Sequence, residues 1–174
     1  MNDIEIKIIN REHKEDINLK NEPFTIFGRL IPTYDGESWN YTQELFAKKS
    51  ELRFPDENYD FDAMTNSIFI GAYMDSKCVG LAIMQQAFFK YMYLYDLKVN
   101  SDYRSKDIGT MLIDKCKEVA AEQGYRGIYT QGQDNNLAAC LFYLKNGFHI
   151  GGLDCDVYRG TSQENKRDVL FYTE

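Results

Sequence analysis

At 174 residues, 44% hydrophobic and carrying 13 Tyr and 11 Phe, the chain has the size and composition of one packed domain, not of a disordered segment. A net charge of -7 and a pI near 4.9 disfavour a duplex nucleic-acid binder, which needs a basic face to neutralise phosphates. No run reaches membrane-spanning length, and the opening "MNDIEIKIINREHKED" lacks an apolar signal core, so a cytoplasmic protein with no membrane partner is expected.

"IEIKII" alternates as a strand does, and residues 11–20 suit a short helix. Residues 21–66 hold all three prolines and the only Trp, and they read as a long irregular segment with helical patches at best. "SIFIGAYM", the turn "DS" and "KCVGLAIMQQAFF" predict a hairpin, and "YMYLYDLKV" a further strand. From Ile108 to about Gln123 the apolar residues recur at helical spacing, and Gly124 ends the pattern. "GIYTQGQ" predicts a strand. "NNLAACLFYLKNG" predicts a second helix, capped by Asp134 or Asn135 and closed by Gly147. "FHIGGLDCDVY" and "RDVLFYT" complete the set as strands. This order predicts an α/β (α+β) domain with a mixed central β-sheet flanked by helices.

Charge is uneven along the chain. Residues 21–62 hold nine acids and four bases, whereas residues 98–117 hold five bases and three acids. An acidic half beside a basic patch suits a cationic ligand meeting an anionic one, although ordinary solvated surface gives the same count. The basic patch lies in "LKVNSDYRSKDIGTMLIDKC", a strand that ends in a loop and opens a helix. Free backbone N–H groups and the helix dipole make that junction a phosphate site, to which Arg104 and Lys106 add charge. The four cysteines form no CxxC pair, and no His/Cys/Asp cluster has ligand spacing, so buried free thiols and no metal are expected.

"VNSDYRSKDIGTML" resembles the acetyl-CoA-binding motif of the GNAT N-acetyltransferases, with Arg104, Ile108 and Gly109 in register. "NLAACLFYLKNGF" is similar to the family's second signature through Asn136, Ala139, Tyr143, Gly147 and Phe148. The departure is Asp107, where the family has glycine; Asp tolerates unusual φ better than most residues. The resemblance spans residues 67–152 and implies the GNAT acyl-CoA N-acyltransferase fold over one domain, residues 1–174. It implies acetyl-CoA as cosubstrate, held by Leu97, Lys98, Val99, Arg104, Ser105, Lys106, Asp107, Ile108, Gly109, Thr110, Asn136 and Tyr143.

"EPFTIFGRLIPTYDGESWNYTQELF", residues 22–46, resembles the streptothricin acetyltransferases within that superfamily. That likeness implies a cationic amine acceptor, the β-lysine part of streptothricin, and antibiotic resistance. Acceptor contacts would come from Tyr34, Asp35, Trp39, Tyr41, Glu44 and Tyr93, with Glu22 and Glu37 adding negative charge. For the aromatics, packing under the irregular segment is the competing reading.

Tyr143 stands at the family's general-acid position. The family's base glutamate falls in register on Tyr93, a poor base at neutral pH, which leaves Asp96 as the nearest carboxylate. A structural acid at a strand splay is the competing reading of Asp96. Other amines (an aminoglycoside, a polyamine, a protein lysine) and a non-catalytic CoA-binding module are the alternatives. An exposed sheet edge near the C-terminus would allow a homodimer, as many members form.

Overall fold

A computed structural model describes residues 3–174. In chain order it contains β1 (Glu5–Ile8), a 3-10 helix (Arg11–Asn18), β2 (Phe24–Tyr34), β3 (Trp39–Leu52), β4 (Ser67–Met74), β5 (Lys77–Gln85) and β6 (Tyr91–Val99). A 3-10 turn (Ser101–Tyr103), α1 (Ile108–Glu122), β7 (Gly127–Gln133), α2 (Leu137–Lys145), β8 (His149–Asp154) and β9 (Asp168–Thr173) follow. The mixed α/β class is as expected. None of the described helices is long and apolar enough to cross a membrane. The chain divides into two compact units: residues up to 22, 53–128 and Glu174 form the first, and residues 23–52 and 129–173 the second.

In the first unit β1, β4, β5 and β6 pair antiparallel in that order. The β4–β5 turn is the predicted "DS". Asp75 and Ser76 both take left-handed φ, 49° and 65°, as a two-residue hairpin turn with the right twist requires. Cys78 to Met84 on β5 are all buried, the mark of a strand covered on both faces. One face packs Leu81 and Ile83 against Ile17 of the 3-10 helix, together with Phe69 and Tyr73. The other face meets α1. A Cβ placed on Gly80 would lie 3.1 Å from both Ile108 Cγ2 and Leu112 Cδ1. Glycine at this position therefore lets the first turns of α1 lie close against β5.

In the second unit β2 and β3 form a long antiparallel hairpin where an irregular segment was expected. Its tip is an Asx turn: Asp35 Oδ1 accepts from the N–H groups of Glu37 (2.9 Å) and Ser38 (2.8 Å). A bulge between Ile26 and Gly28 breaks the alternation. At Gly28 a Cβ would lie 2.5 Å from the Glu44 carbonyl oxygen and 2.9 Å from Leu137 Cδ2, so only glycine lets α2 approach the hairpin. β8 and β9 pair antiparallel from His149↔Tyr172 to Asp154↔Asp168. The expected strand through Tyr158 stops at Asp154, whose Oδ1 turns the chain by accepting from the N–H groups of Asp156 and Val157. Neither Asp134 nor Asn135 caps α2; Asn136 does, its side chain accepting from Ala139 N at 3.3 Å.

Candidate active site

The residues from which chemistry was expected fall into three groups. The first is the loop from β6 into α1. Asn100 N–H donates to Val79 O at 2.9 Å, which ties the loop to β5. Arg104 Nε donates to Val99 O at 3.3 Å. Ser105 and Asp107 both lie in the left-handed region, at φ 64° and 58°. Asp107 thus adopts the backbone that glycine would favour, and its side chain caps no helix N–H.

The i→i+4 ladder of α1 opens with Met111 N donating to Asp107 O at 2.9 Å. The N–H groups of Ile108, Gly109 and Thr110 therefore have no acceptor inside the helix. These donors, the helix dipole, Arg104 and Lys106 suit a pyrophosphate group. Ile108 offers only its backbone, because its side chain is buried under the helix. Glu22, expected among the acceptor-facing acids, buttresses this loop instead. It accepts from Ser101 N, and from Ser101 Oγ at 3.1 Å, and stands 3.9 Å from Arg104 Nη2.

The second group lies on β6. Opposite Ile83 and Met84 the register jumps from Asp96 to Leu94, so Tyr95 is the extra residue of a bulge. Beyond it Asp96 and Lys98 share one face. Lys98 Nζ lies 3.2 Å from Asp96 Oδ2, 2.9 Å from Glu57 Oε2 and 3.1 Å from Asn21 Oδ1. Tyr59 O–H donates to Asp96 Oδ2 at 3.0 Å, and Asn21 Nδ2 donates to Glu57 Oε2 at 2.8 Å. Lys98 was expected to meet the cosubstrate through its backbone; its side chain belongs to this cluster. Burial raises the pKa of Asp96, and Glu57 adds to that, against the opposing pull of Lys98. At Glu57 burial also pushes upward, yet the Asn21 and Lys98 contacts outweigh it and leave the carboxyl below its ordinary range. Burial, followed by the Asp96 charge, raises Tyr59. The Tyr95 ring stands 6.0 Å from both the Tyr59 and Tyr93 rings, edge-on to each.

Sequence reasoning named Asp96 and Lys98 but missed Asn21, Glu57 and Tyr59. Their only available signal was the acidity of the 21–62 stretch.

The third group belongs to the second unit. Tyr143 is 9% exposed, its ring 5.6, 5.3 and 5.4 Å from those of Phe142, Phe148 and Phe171. Asn136 uses its side chain as the cap of α2. Five of the six expected acceptor residues lie on the hairpin, and the sixth, Tyr93, lies on β6. The Tyr34 and Trp39 rings meet at 5.0 Å, their planes tilted by 35°, beside the tip turn, and Tyr34 O–H donates to Gly36 O at 3.0 Å. Glu44 pairs with Arg29 at 2.7 Å, and Tyr41 is exposed. Hydrogen bonds from the Ser38 and Glu37 backbone hold Asp35 below its ordinary carboxylate pKa, so it keeps its charge. Among the described residues no three His, Cys, Asp or Glu side chains gather as metal ligands.

Comparison with known proteins bears on this geometry. The sequence model of the acetyltransferase (GNAT) family matches residues 34–148. Streptothricin acetyltransferase A of Bacillus subtilis (strain 168) is 33% identical over 161 residues, covering 91% of this chain and 92% of that protein. A crystal structure of a protein designated a streptothricin acetyltransferase from Bacillus anthracis str. Ames, solved with acetyl coenzyme A, superposes with a TM-score of 0.87. It is 26% identical, and the match covers 99% of this chain and 98% of that one. A nourseothricin acetyltransferase structure shares the fold at a TM-score of 0.80 and 20% identity, over 98% of this chain and 97% of its own. The phosphate-type helix terminus, the two signatures in register and these matches together make the chain a member of the GNAT family and an acetyl-CoA-dependent N-acetyltransferase.

Proposed function

We propose that this enzyme acetylates an amine of streptothricin, on its β-lysine part, and so confers resistance to the antibiotic. One observation carries the reading: the 33% identity to the Bacillus subtilis enzyme extends over 91% of the chain, well beyond the generic cofactor signatures. Residues 21–66 serve as the acceptor-recognition segment and 67–152 as the cofactor core of a single GNAT domain. Acetyl-CoA supplies an acetyl group activated as a thioester.

The chain's own residues then have three tasks. Backbone donors at Ile108, Gly109 and Thr110, with Arg104, Ser105 and Lys106, neutralise the pyrophosphate. The backbone of Leu97, Lys98 and Val99 binds the cosubstrate along the strand and polarises the carbonyl. Asp96 takes a proton from the acceptor ammonium, directly or through one water, and Tyr143 gives a proton to the departing sulfur. Tyr34, Trp39, Tyr41 and Tyr93 offer aromatic faces to the cationic acceptor, and Asp35 and Glu44 offer negative charge.

The test is release of CoA thiol from acetyl-CoA with streptothricin as acceptor, beside a panel of aminoglycoside, polyamine and lysine-peptide acceptors. Saturable turnover of streptothricin is expected. Turnover confined to another amine would move the substrate assignment to it, and thiol release with none would reduce the chain to a CoA-binding module.

The Asp107 departure yields its own expectation. Asp107 is the N-cap residue of α1, beside the proposed pyrophosphate site, and two like charges about 4 Å apart in water repel by about 1 kcal/mol. Because Asp107 already has a left-handed backbone, Asp107→Gly introduces no strain. It should lower the KM for acetyl-CoA about fivefold, with kcat held, in initial-rate kinetics. An unchanged KM would mean that the carboxylate points away from the anion.

A further inference from the structure

We infer that Glu57 and Lys98, moored by Asn21 and joined by Tyr59, are positioning residues that hold Asp96 by one oxygen and set the pH at which acetyl transfer begins. The inference rests on the reading of Asp96 as the acceptor's base.

The geometry is one-sided. Among the described residues both partners of the Asp96 carboxylate, Tyr59 Oη and Lys98 Nζ, meet Oδ2, and none donates to Oδ1. This arrangement suits a base, with one oxygen fixed and the other offered to the proton. The holders are themselves fixed. Lys98 Nζ is shared between Asp96 and Glu57, its side chain only 11% exposed. Asn21 accepts from Lys98 through Oδ1 while its Nδ2 donates to Glu57 Oε2 and, at 2.9 Å, to Pro55 O.

Among the described residues, the groups that act on Asp96 are Lys98 on its own strand and Glu57 and Tyr59 from the 53–66 segment, with Tyr95, flanked by Tyr93, beside Tyr59. Ile83, opposite on β5, is apolar. Two of these groups act on Asp96 with opposite sign: Lys98 favours the carboxylate, and Glu57 favours the acid form. A base works only when deprotonated, so activity rises with pH through its titration.

Two near-isosteric substitutions should therefore move the acidic limb of kcat/KM in opposite directions. Lys98→Met should shift it upward by about one to three pH units, because the carboxylate loses its adjacent cation. Glu57→Gln should shift it downward, because a like charge is gone. Lys98→Arg should keep the limb near that of the wild type. A merely structural role would lower the rate without reversing the sign of the shift between the two variants.

The experiment pairs pH–rate profiles with a ¹³C-carboxylate NMR titration that follows Asp96, assigned by its absence in Asp96→Asn. The titration reads the inference even where a variant is slow, and thermal melts identify any variant that has unfolded. The double variant Lys98→Met/Glu57→Gln, charge-balanced at the cluster, replaces any single variant that fails to fold. Its Asp96 should titrate between those of the two single variants. Asp96 titrating alike in all folded variants would overturn the inference. If Asp96→Asn turns over at the wild-type rate while the titration shifts as expected, the base reading fails and the coupling of these residues to Asp96 stands.

Discussion

Tyr143→Phe should turn over at about 10²–10⁴-fold below the wild-type kcat, the usual loss when a positioned proton donor is removed. The substitution is clean because the ring stays. Phe142, Phe148 and Phe171 hold the tyrosine at centroid distances of 5.3 to 5.6 Å, and phenylalanine fills the same space. The packing that makes Tyr143 resemble an ordinary core residue also fixes where its hydroxyl points. Thermal melts should therefore differ little between the two proteins, and the KM for acetyl-CoA should be retained. Equal kcat values would remove Tyr143 as the acid and leave it as packing.

The second large effect concerns stability. Leu112→Ala should lower the unfolding free energy by about 2–5 kcal/mol in urea melts, as for other fully buried leucines cut to alanine. Leu112 has no exposed surface, and its Cδ1 lies under α1 against Gly80 of β5. Gly80→Ala should also destabilise, by about 1–3 kcal/mol, because its methyl would sit 3.1 Å from Ile108 Cγ2 and Leu112 Cδ1 and 3.2 Å from Ala72 Cβ. Combined, the two changes should cost less than their sum, since the new methyl enters the space that the leucine vacates. Strict additivity would mean that α1 does not seat on β5 through this contact. The seat bears on the proposed function because the same end of α1 carries the Ile108, Gly109 and Thr110 N–H groups proposed to hold the pyrophosphate.

Much of this was legible along the chain, and for a physical reason. β4, β5, β6 and α1 are largely buried on at least one side, so their apolar patterns report burial directly. The "DS" turn was legible because few residue pairs accept two successive left-handed conformations. The β2–β3 hairpin was not. β3 is exposed along most of its length, so it has no inward face to write an alternation, and the bulge near Gly28 shifts the register of β2. In α2 the run Asp134, Asn135 and Asn136 offers three competent caps, and only the backbone path selects the third. Within the candidate site Asp96 was visible because it sits in a strand of clear pattern. Glu57, Tyr59 and Asn21 were not, because they reach Asp96 or its neighbour Lys98 across 37 to 77 residues of sequence from segments without periodicity.

The junction of the hairpin with its base has one more consequence. The chain leaves the first unit after Glu22 and re-enters it at Arg53. Arg53 Nε donates to Asn21 O at 3.0 Å, Arg53 Nη2 donates to Asp56 Oδ1 at 3.1 Å, and Asp56 Oδ1 accepts from Asn21 N at 2.9 Å. The two ends of a 30-residue excursion are thus fastened to each other, as on a cassette with a closed clasp. Once such ends are fixed, loop length costs little, about 0.6 kcal/mol per doubling. Only the exposed tip around Gly36 is free to change length in this way, because further down Gly28 packs against Leu137 and Leu30 is buried. If the hairpin is the acceptor segment proposed above, substrate choice can be retuned at its tip while the clasp and the packed base stay closed.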